Sequence, residues 1–299
     1  MALKTNQNQL AQLKLQGSVI PPLAFGWEVD RTGRGMMLPC VGGITLNIRV
    51  GDSVYKFVGD HLEPGVSCIA GSFSDKRTGN PNSGFNIYSC IGNQATILSG
   101  LAKGKKGIVT GHHGGVEHVI IDFPQNVLEK LSYDDKIMIT GVGQGLKLLD
   151  YPDIFASGLD PKLLHKIPTK TSGSQLKVPV VACVPAELMG SGLGHNDSFK
   201  GDYDIQTSDP GVVKKLQLEK LRYGDLVAII DHQSTYGWSY KKGAVSIAVV
   251  VHGDSTLAGH GPGVQTILTS QKGLIDPVIN KNANIGYYLK IGRFEGKKR

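Results

Sequence analysis

Apolar and polar positions alternate along much of this chain. In Ile44-Thr45-Leu46-Asn47-Ile48-Arg49-Val50 every second side chain is apolar, the period of a strand with one buried face. Ser53 to Val58 and Phe85 to Tyr88 continue the pattern, and Gly107 to Thr110, His118 to Phe123 and Lys136 to Thr140 resume it. The longest apolar run is Ala244 to Val251. It suits a buried strand and falls far short of the ~20 residues that a membrane-spanning helix needs. Helix is scarce. Pro124 to Leu131 and Gly211 to Leu216 are short candidates, and Asp160-Pro161 to His165 offers an N-cap followed by a first-turn proline. Residues 1–17 read as a polar, weakly helical lead, ended by Pro21-Pro22. The pattern predicts a mainly β protein, a barrel or sandwich with few short helices.

A diverged internal duplication organises the chain. Leu128-Glu129-Lys130-Leu131-Ser132-Tyr133-Asp134-Asp135 returns as Leu218-Glu219-Lys220-Leu221-Arg222-Tyr223-Gly224-Asp225, and an apolar strand follows each copy. Upstream, Gly111-His112 and Gly194-His195 open corresponding segments, so that His195 stands where His112 stands. Two copies imply a pseudo-twofold arrangement and not a solenoid. Asp135 and Asp225 are expected to make turns by accepting backbone hydrogen bonds. Thr169 to Gln175 reads as a linker, which divides the chain into an N-terminal β-rich half, 1–170, with the first copy at about 95–170, and a C-terminal half, 171–299.

Composition sharpens this picture. Forty glycines among 299 residues favour many tight turns between short strands. The net charge of +7 is concentrated in Lys103-Gly104-Lys105-Lys106 and the Glu295 to Arg299 tail. Neither is interleaved with aromatics, so a solvated loop and tail are expected in place of a nucleic-acid surface. Four cysteines without a CxxC pair point to a reducing compartment, the cytoplasm. Met1 to Leu15 lacks the apolar core of a signal peptide. No membrane association is expected. Cys40 and Cys68 sit in no activating setting and read as buried structural thiols.

The nine histidines are unevenly placed. Gly111-His112-His113-Gly114-Gly115-Val116-Glu117-His118 puts three imidazoles and a carboxylate within seven residues, donors suited to a divalent transition metal, zinc or similar. A polar turn with its histidines in water would look the same. Gly194-His195-Asn196-Asp197, with Asp202 and Asp204, offers oxygen donors or hydrogen-bonded turns. Ile230-Asp231-His232, His252-Gly253-Asp254 and Gly259-His260-Gly261 form a third group. His252 ends the longest apolar strand, where scaffold meets loop. Gly59-Asp60-His61-Leu62-Glu63 is a fourth, although neighbouring side chains in a strand point to opposite faces.

Two family resemblances stand on particular segments. Gly243-Ala244-Val245 opening a strand, Gly253-Asp254 ending it, the Gly259 to Gly263 loop, and Gly114-Gly115 with Asp122 resemble the acetamidase/formamidase family, β-rich amide hydrolases. Thr256 and Gly259-His260-Gly261-Pro262 depart from that family's pattern. Pro39 to Asp52, Gly59 to Ser67, His112 to His118 and His252 to Val264 also resemble a prokaryotic family catalogued as a domain of unknown function.

The resulting expectation is a metal-assisted hydrolase of a small amide or related C–N bond, with a non-catalytic small-molecule-binding or assembly protein as the alternative. His112, His118, His252 and Asp254 are the expected metal ligands and Glu117 or Asp231 the general base. His113, His195 and His260 would contact a small-molecule substrate, and a homo-oligomer is assumed by default.

Overall fold

The computed structural model describes residues 3–71, 80–195 and 198–296. It is mainly β, with two principal sheets. The first half carries β1 (Leu13–Val19), β2 (Glu28–Val29), β3 (Gly35–Met36), β4 (Ile44–Thr45), β5 (Gly65–Ile69), β6 (Gln94–Ile97), β7 (Lys106–His113), β8 (His118–Asp122) and β9 (Lys136–Gly141). Strand order β1-β9-β6-β7-β8-β5 is closed by a β1–β5 pairing, giving a six-stranded antiparallel barrel with β4 attached outside β5. Alternation drives the closure. In β9, Ile137 and Ile139 point inward and are fully buried beside Val109, Val119, Ile121 and Phe123, whereas Lys136 is exposed.

The remaining strands are β10 (Phe155–Ala156), which belongs to the first half in sequence but joins the second sheet, β11 (Lys170–Ser172), β12 (Gln175–Val180), β13 (Ala182–Pro185), β14 (Tyr203–Asp204), β15 (Leu226–Gln233), β16 (Ser239–Val250), β17 (Gly263–Ser270) and β18 (Ile275–Ile279). The main sheet runs β10-β17-β16-β15-β13, with β14 also on β17. The apolar run is its central strand: residues 244–250 of β16 are buried, and its Ser239 to Gly243 arm is exposed. β11, β12 and β18 form a smaller sheet.

Among the described residues, five short α-helices decorate the sheets: α1 (Pro81–Tyr88), α2 (Gln125–Leu128), α3 (Pro161–Lys166), α4 (Pro210–Lys215) and α5 (Ile285–Leu289). α3 starts as its sequence predicts, and α4 starts one residue before the expected Gly211. Asp160 accepts from the Lys162 amide at 2.7 Å, and Asp209 from Gly211 and Val212, satisfying amides that a helix start leaves unpaired. Among the described residues, no helix is long and apolar enough to cross a membrane.

Four sequence expectations give way. The polar lead contains β1, which completes the barrel. Phe85 to Tyr88 is helical, because Asn80 caps α1 by accepting from Ser83 at 2.7 Å. Only Ile44–Thr45 of the 44–50 segment forms a strand, and 53–58 is a series of turns. The expected linker is a β11–β12 hairpin.

The repeated unit folds alike in both halves. Leu131 and Leu221 close the same backbone turn onto Leu128 and Leu218, and Asp135 and Asp225 each accept from the amide three residues earlier at 2.9 Å. The upstream landmark differs: His112 lies inside β7, and His195 lies in a turn.

Candidate functional site

The β7–β8 turn of the barrel meets the end of β16 and the loop before β17. Gly111 packs against Val251, where a Cβ would overlap the valine side chain. Lack of a side chain therefore lets the barrel approach the second sheet. At this seam lie His61 and Glu63 from the loop before β5, His113 and His118 from the β7–β8 turn, Asp202 and Asp204 around β14, and His252 and His260 from the loop between β16 and β17.

Four imidazoles cluster. His113 stacks on His252 with ring centroids 4.2 Å apart, His61 lies 5.0 Å from His252, and His260 lies 4.9 Å from His61. Three of them are anchored through Nδ1. His113 Nδ1 is 2.5 Å from Glu63 Oε1, His61 Nδ1 is 2.7 Å from Asp60 Oδ2, and His252 Nδ1 is 2.8 Å from the Gly253 carbonyl. Gly263 N–H also lies 3.3 Å from His252 Nδ1. The shorter carbonyl contact decides the tautomer, with Nδ1 donating. Such anchoring fixes each ring, and it turns His61 Nε2 to within 2.9 Å of His260 Nδ1.

Two carboxylates face these rings. Asp202 Oδ1 accepts from the Gly114 amide at 2.7 Å, and its Oδ2 lies 2.8 Å from His252 Nε2. Neither Asp202 Oδ2 nor His252 Nε2 has a hydrogen-bond partner among the described residues, although both are buried. The two atoms face each other at ion-pair distance, and an ion that displaced the Nε2 proton would meet both. Asp204 lies 3.4 Å from His252 Nε2, 3.4 Å from His61 Nε2 and 2.9 Å from His260 Nδ1. Two donor sets with metal-ligand spacing result: His113, Asp202 and His252, and His61, Asp204 and His252. Gly263 closes over them, since a Cβ there would overlap both Asp202 and His252.

The electrostatics follow from buried acids beside buried bases. Burial opposes ionisation of Glu63, but His118 and His113 outweigh it and hold the carboxyl well below its ordinary range. Asp204 is likewise held low against burial by His252, His260 and His61. Burial pushes the His252 imidazole down, and Asp202 and Asp204 more than reverse this, raising it well above the usual value. Burial dominates at His113 and lowers it.

The pocket above the cluster has a volume of about 490 Å³ and is also lined by Glu117, His195, Lys200 and Trp238. Glu117 pairs with Lys200 at 2.9 Å. Of the expected ligands, His252 lies in the cluster. His118 sits behind it, with Nδ1 3.1 Å from Glu63. His112, adjacent to His113 on β7, points to the opposite face and meets Gln265. Asp254 accepts from Thr207 at 2.8 Å and lines a separate apolar pocket with Tyr55 and Tyr223. Glu117, His113, His195 and His260 line the main pocket, whereas Asp231 occupies a bulge in β15 and accepts from the Gly243 amide. Asn196 and Asp197 lie outside the described residues. Burial pushes the Cys40 and Cys90 thiols up to about 12, which leaves them poor nucleophiles at neutral pH.

Asp60, His61, Glu63, Asp202 and Asp204 join the cluster although none is among the expected ligands, bases or substrate contacts. The Asp60-His61 signal was visible, but strand alternation argued against it. His61 has φ 53°, a left-handed backbone in a segment of bends, so the two side chains meet.

Family comparison places the chain. The model described as "Domain of unknown function (DUF4438), N-terminal" matches residues 27–165, and its C-terminal counterpart matches 166–289. A solved structure titled "Crystal structure of TM1086" is 44% identical, with a TM-score of 0.90, over 96% of this chain and 99% of that one. A search of curated proteins gave no match. Matched by both halves of that family and by a near-full-length relative, the chain belongs to the DUF4438 family.

Proposed function

We propose that this protein is a divalent-metal-dependent hydrolase of a small amide or related C–N bond, acting in the pocket between its halves. One observation carries the reading. Three imidazoles, each anchored through Nδ1, converge with two carboxylates at the base of a pocket. Mixed nitrogen and oxygen donors suit zinc or a similar ion. His113, His252 and Asp202 would hold it, with His61 and Asp204 beside them.

When bound, such an ion polarises a carbonyl and lowers the pKa of water toward about 7. Glu117 lines the pocket outside the donor cluster. It takes a proton from the water that attacks the carbonyl carbon and delivers it to the departing nitrogen, so the products are an acid and an amine. A positioned base of this kind contributes ~10²–10⁴-fold. The likeness of the Gly114-Gly115 and Gly243 to Gly263 segments to amide hydrolases supports a C–N bond as the target.

Elemental analysis of protein purified without an affinity tag tests the metal, and a panel of small amides tests turnover. Near-stoichiometric divalent metal and hydrolysis that chelators abolish are expected. Thermal stabilisation by amides without turnover would instead indicate a binding protein. Trace metal in every preparation would overturn the reading.

A further inference from the structure

His252 belongs to both donor sets but can serve only one ion. With Nδ1 on the Gly253 carbonyl it offers Nε2 alone, a single lone pair. His260 resolves the conflict. Its Nδ1 lies 2.9 Å from His61 Nε2 and 2.9 Å from Asp204 Oδ2, and those two atoms are 3.4 Å apart. Donor atoms around a tetrahedral ion with bonds of ~2.0–2.1 Å stand about 3.3 Å from one another, so this triangle has the edges of a coordination shell. Asp204 turns its other oxygen, Oδ1, to 3.4 Å from His252 Nε2.

We propose that the pocket floor holds two divalent ions bridged by Asp204. The first takes His113, His252, Asp202 and Asp204 Oδ1, and the second takes His61, His260 and Asp204 Oδ2. The contacts inside the second triangle leave room for an exchange. His61 Nδ1 donates to the Asp60 carboxylate, so a neutral His61 presents a lone pair at Nε2, and His260 Nδ1 is the donor between the rings. The second ion takes the place of that one proton, which His260 keeps at Nε2 as its other tautomer. The Gly261 amide, 3.2 Å from Asp204 Oδ2, occupies a further lone pair and stays. Charge also favours a pair of ions. Asp60, Glu63, Asp202 and Asp204 are all buried, and among the described residues none forms an ion pair with lysine or arginine. Buried anions need countercharge. Two divalent cations match four carboxylates, whereas one leaves the balance to protonated imidazoles, which cannot then ligate. The four-donor site fills first, and the three-donor site fills when metal is in excess. This rests on the hydrolase reading for what the ions do, since pairs ~3.5–4 Å apart recur in hydrolytic enzymes, and on the donor geometry alone for their number.

The test loads the metal-free full chain with excess zinc, removes unbound ion by gel filtration and counts zinc per chain by elemental analysis. About two ions are expected in the wild type, and about one in His260→Ala and in His61→Ala. Manganese(II) in place of zinc gives a readout that needs no variant. A pair joined by a carboxylate shows an exchange-coupled electron paramagnetic resonance spectrum, and isolated ions do not. A single ion per wild-type chain overturns the inference, as does a second ion that survives both substitutions or a manganese spectrum without coupling. Two coupled ions without turnover of any amide uphold the paired site and sink the hydrolase reading; turnover by a chain that never binds a second ion does the reverse.

Discussion

Gln265 clasps His112 across the seam between barrel and second sheet. Its Oε1 lies 2.9 Å from the His112 backbone N–H, and its Nε2 lies 2.6 Å from His112 Nδ1. A backbone N–H can only donate, so Oε1 must face it, and Nε2 must therefore donate to an unprotonated Nδ1. Protonating Nδ1 would set two donors against each other. Burial drives the imidazole the same way, pushing it down to about 4. His112 is thus a neutral structural residue back-to-back with the donor His113. Gln265→Leu should cost about 2–4 kcal/mol in urea unfolding, because two buried groups lose partners. A cost under ~0.5 kcal/mol would show that the clasp is energetically idle.

Metal content should separate the converging donors from their sequence neighbours. His113→Ala, His252→Ala and Asp202→Asn are expected to lose most bound metal. His112→Asn and Asp254→Asn should retain it, since the first sits on the far face of β7 and the second is bonded to Thr207. Elemental analysis of the five variants decides, and metal loss on changing His112 but not His113 would refute the assignment.

Glu63 is the common anchor behind the cluster. It contacts His113 and His118, and accepts from the Gly42 amide at 2.8 Å and from the Ser67 hydroxyl. Glu63→Gln preserves the shape but offers an NH₂ where an imidazole N–H now donates. Metal affinity should fall ~10–100-fold, the usual cost of losing such an outer carboxylate, as read by competition with a chelating dye. Unchanged affinity would mean that the ring orientation does not depend on Glu63.

Acid should destabilise the fold through His232, which is fully buried and lies against Tyr203 with centroids 5.2 Å apart. Burial lowers its pKa from 6.5 to about 4. Above pH 6.5 both folded and unfolded chains carry it neutral and it contributes no pH dependence. Below that, the unfolded chain binds the proton first, so stability is lost as pH falls from 6.5 toward 4, by up to on the order of 3 kcal/mol. Unfolding of His232→Phe followed from pH 7 to pH 4 should show a shallower decline than wild type. Parallel curves would exclude this histidine as a cause.

How far the sequence reached depends on whether a local rule had competition. Alternation located β8 and β9, and the Ala244 to Val251 run located β16, because each of those strands buries a continuous apolar face. Asp160-Pro161 located α3 because cap and proline act within one turn. β1 escaped because its outer residues, such as Lys14 and Gln16, are exposed and its role is set by partners far along the chain. At the site, the histidine-rich turn was legible, but assigning donors within it required knowing which face of β7 met the second sheet. His112 and His113 differ by one position and therefore by a whole face. Glu63, Asp202 and Asp204 come from separate segments, and only the tertiary fold brings them together.

The closure of the barrel bears on how this protein is made. β1 leaves the ribosome ahead of the other barrel strands, yet Leu13 pairs with Gly141 and Val19 with Cys68. For well over a hundred residues of synthesis it has no neighbour on its β9 side. The ring can shut only after residues 136–141 emerge, so translation arrested before that point would release a chain with an open seam, prey to proteases and to its own copies.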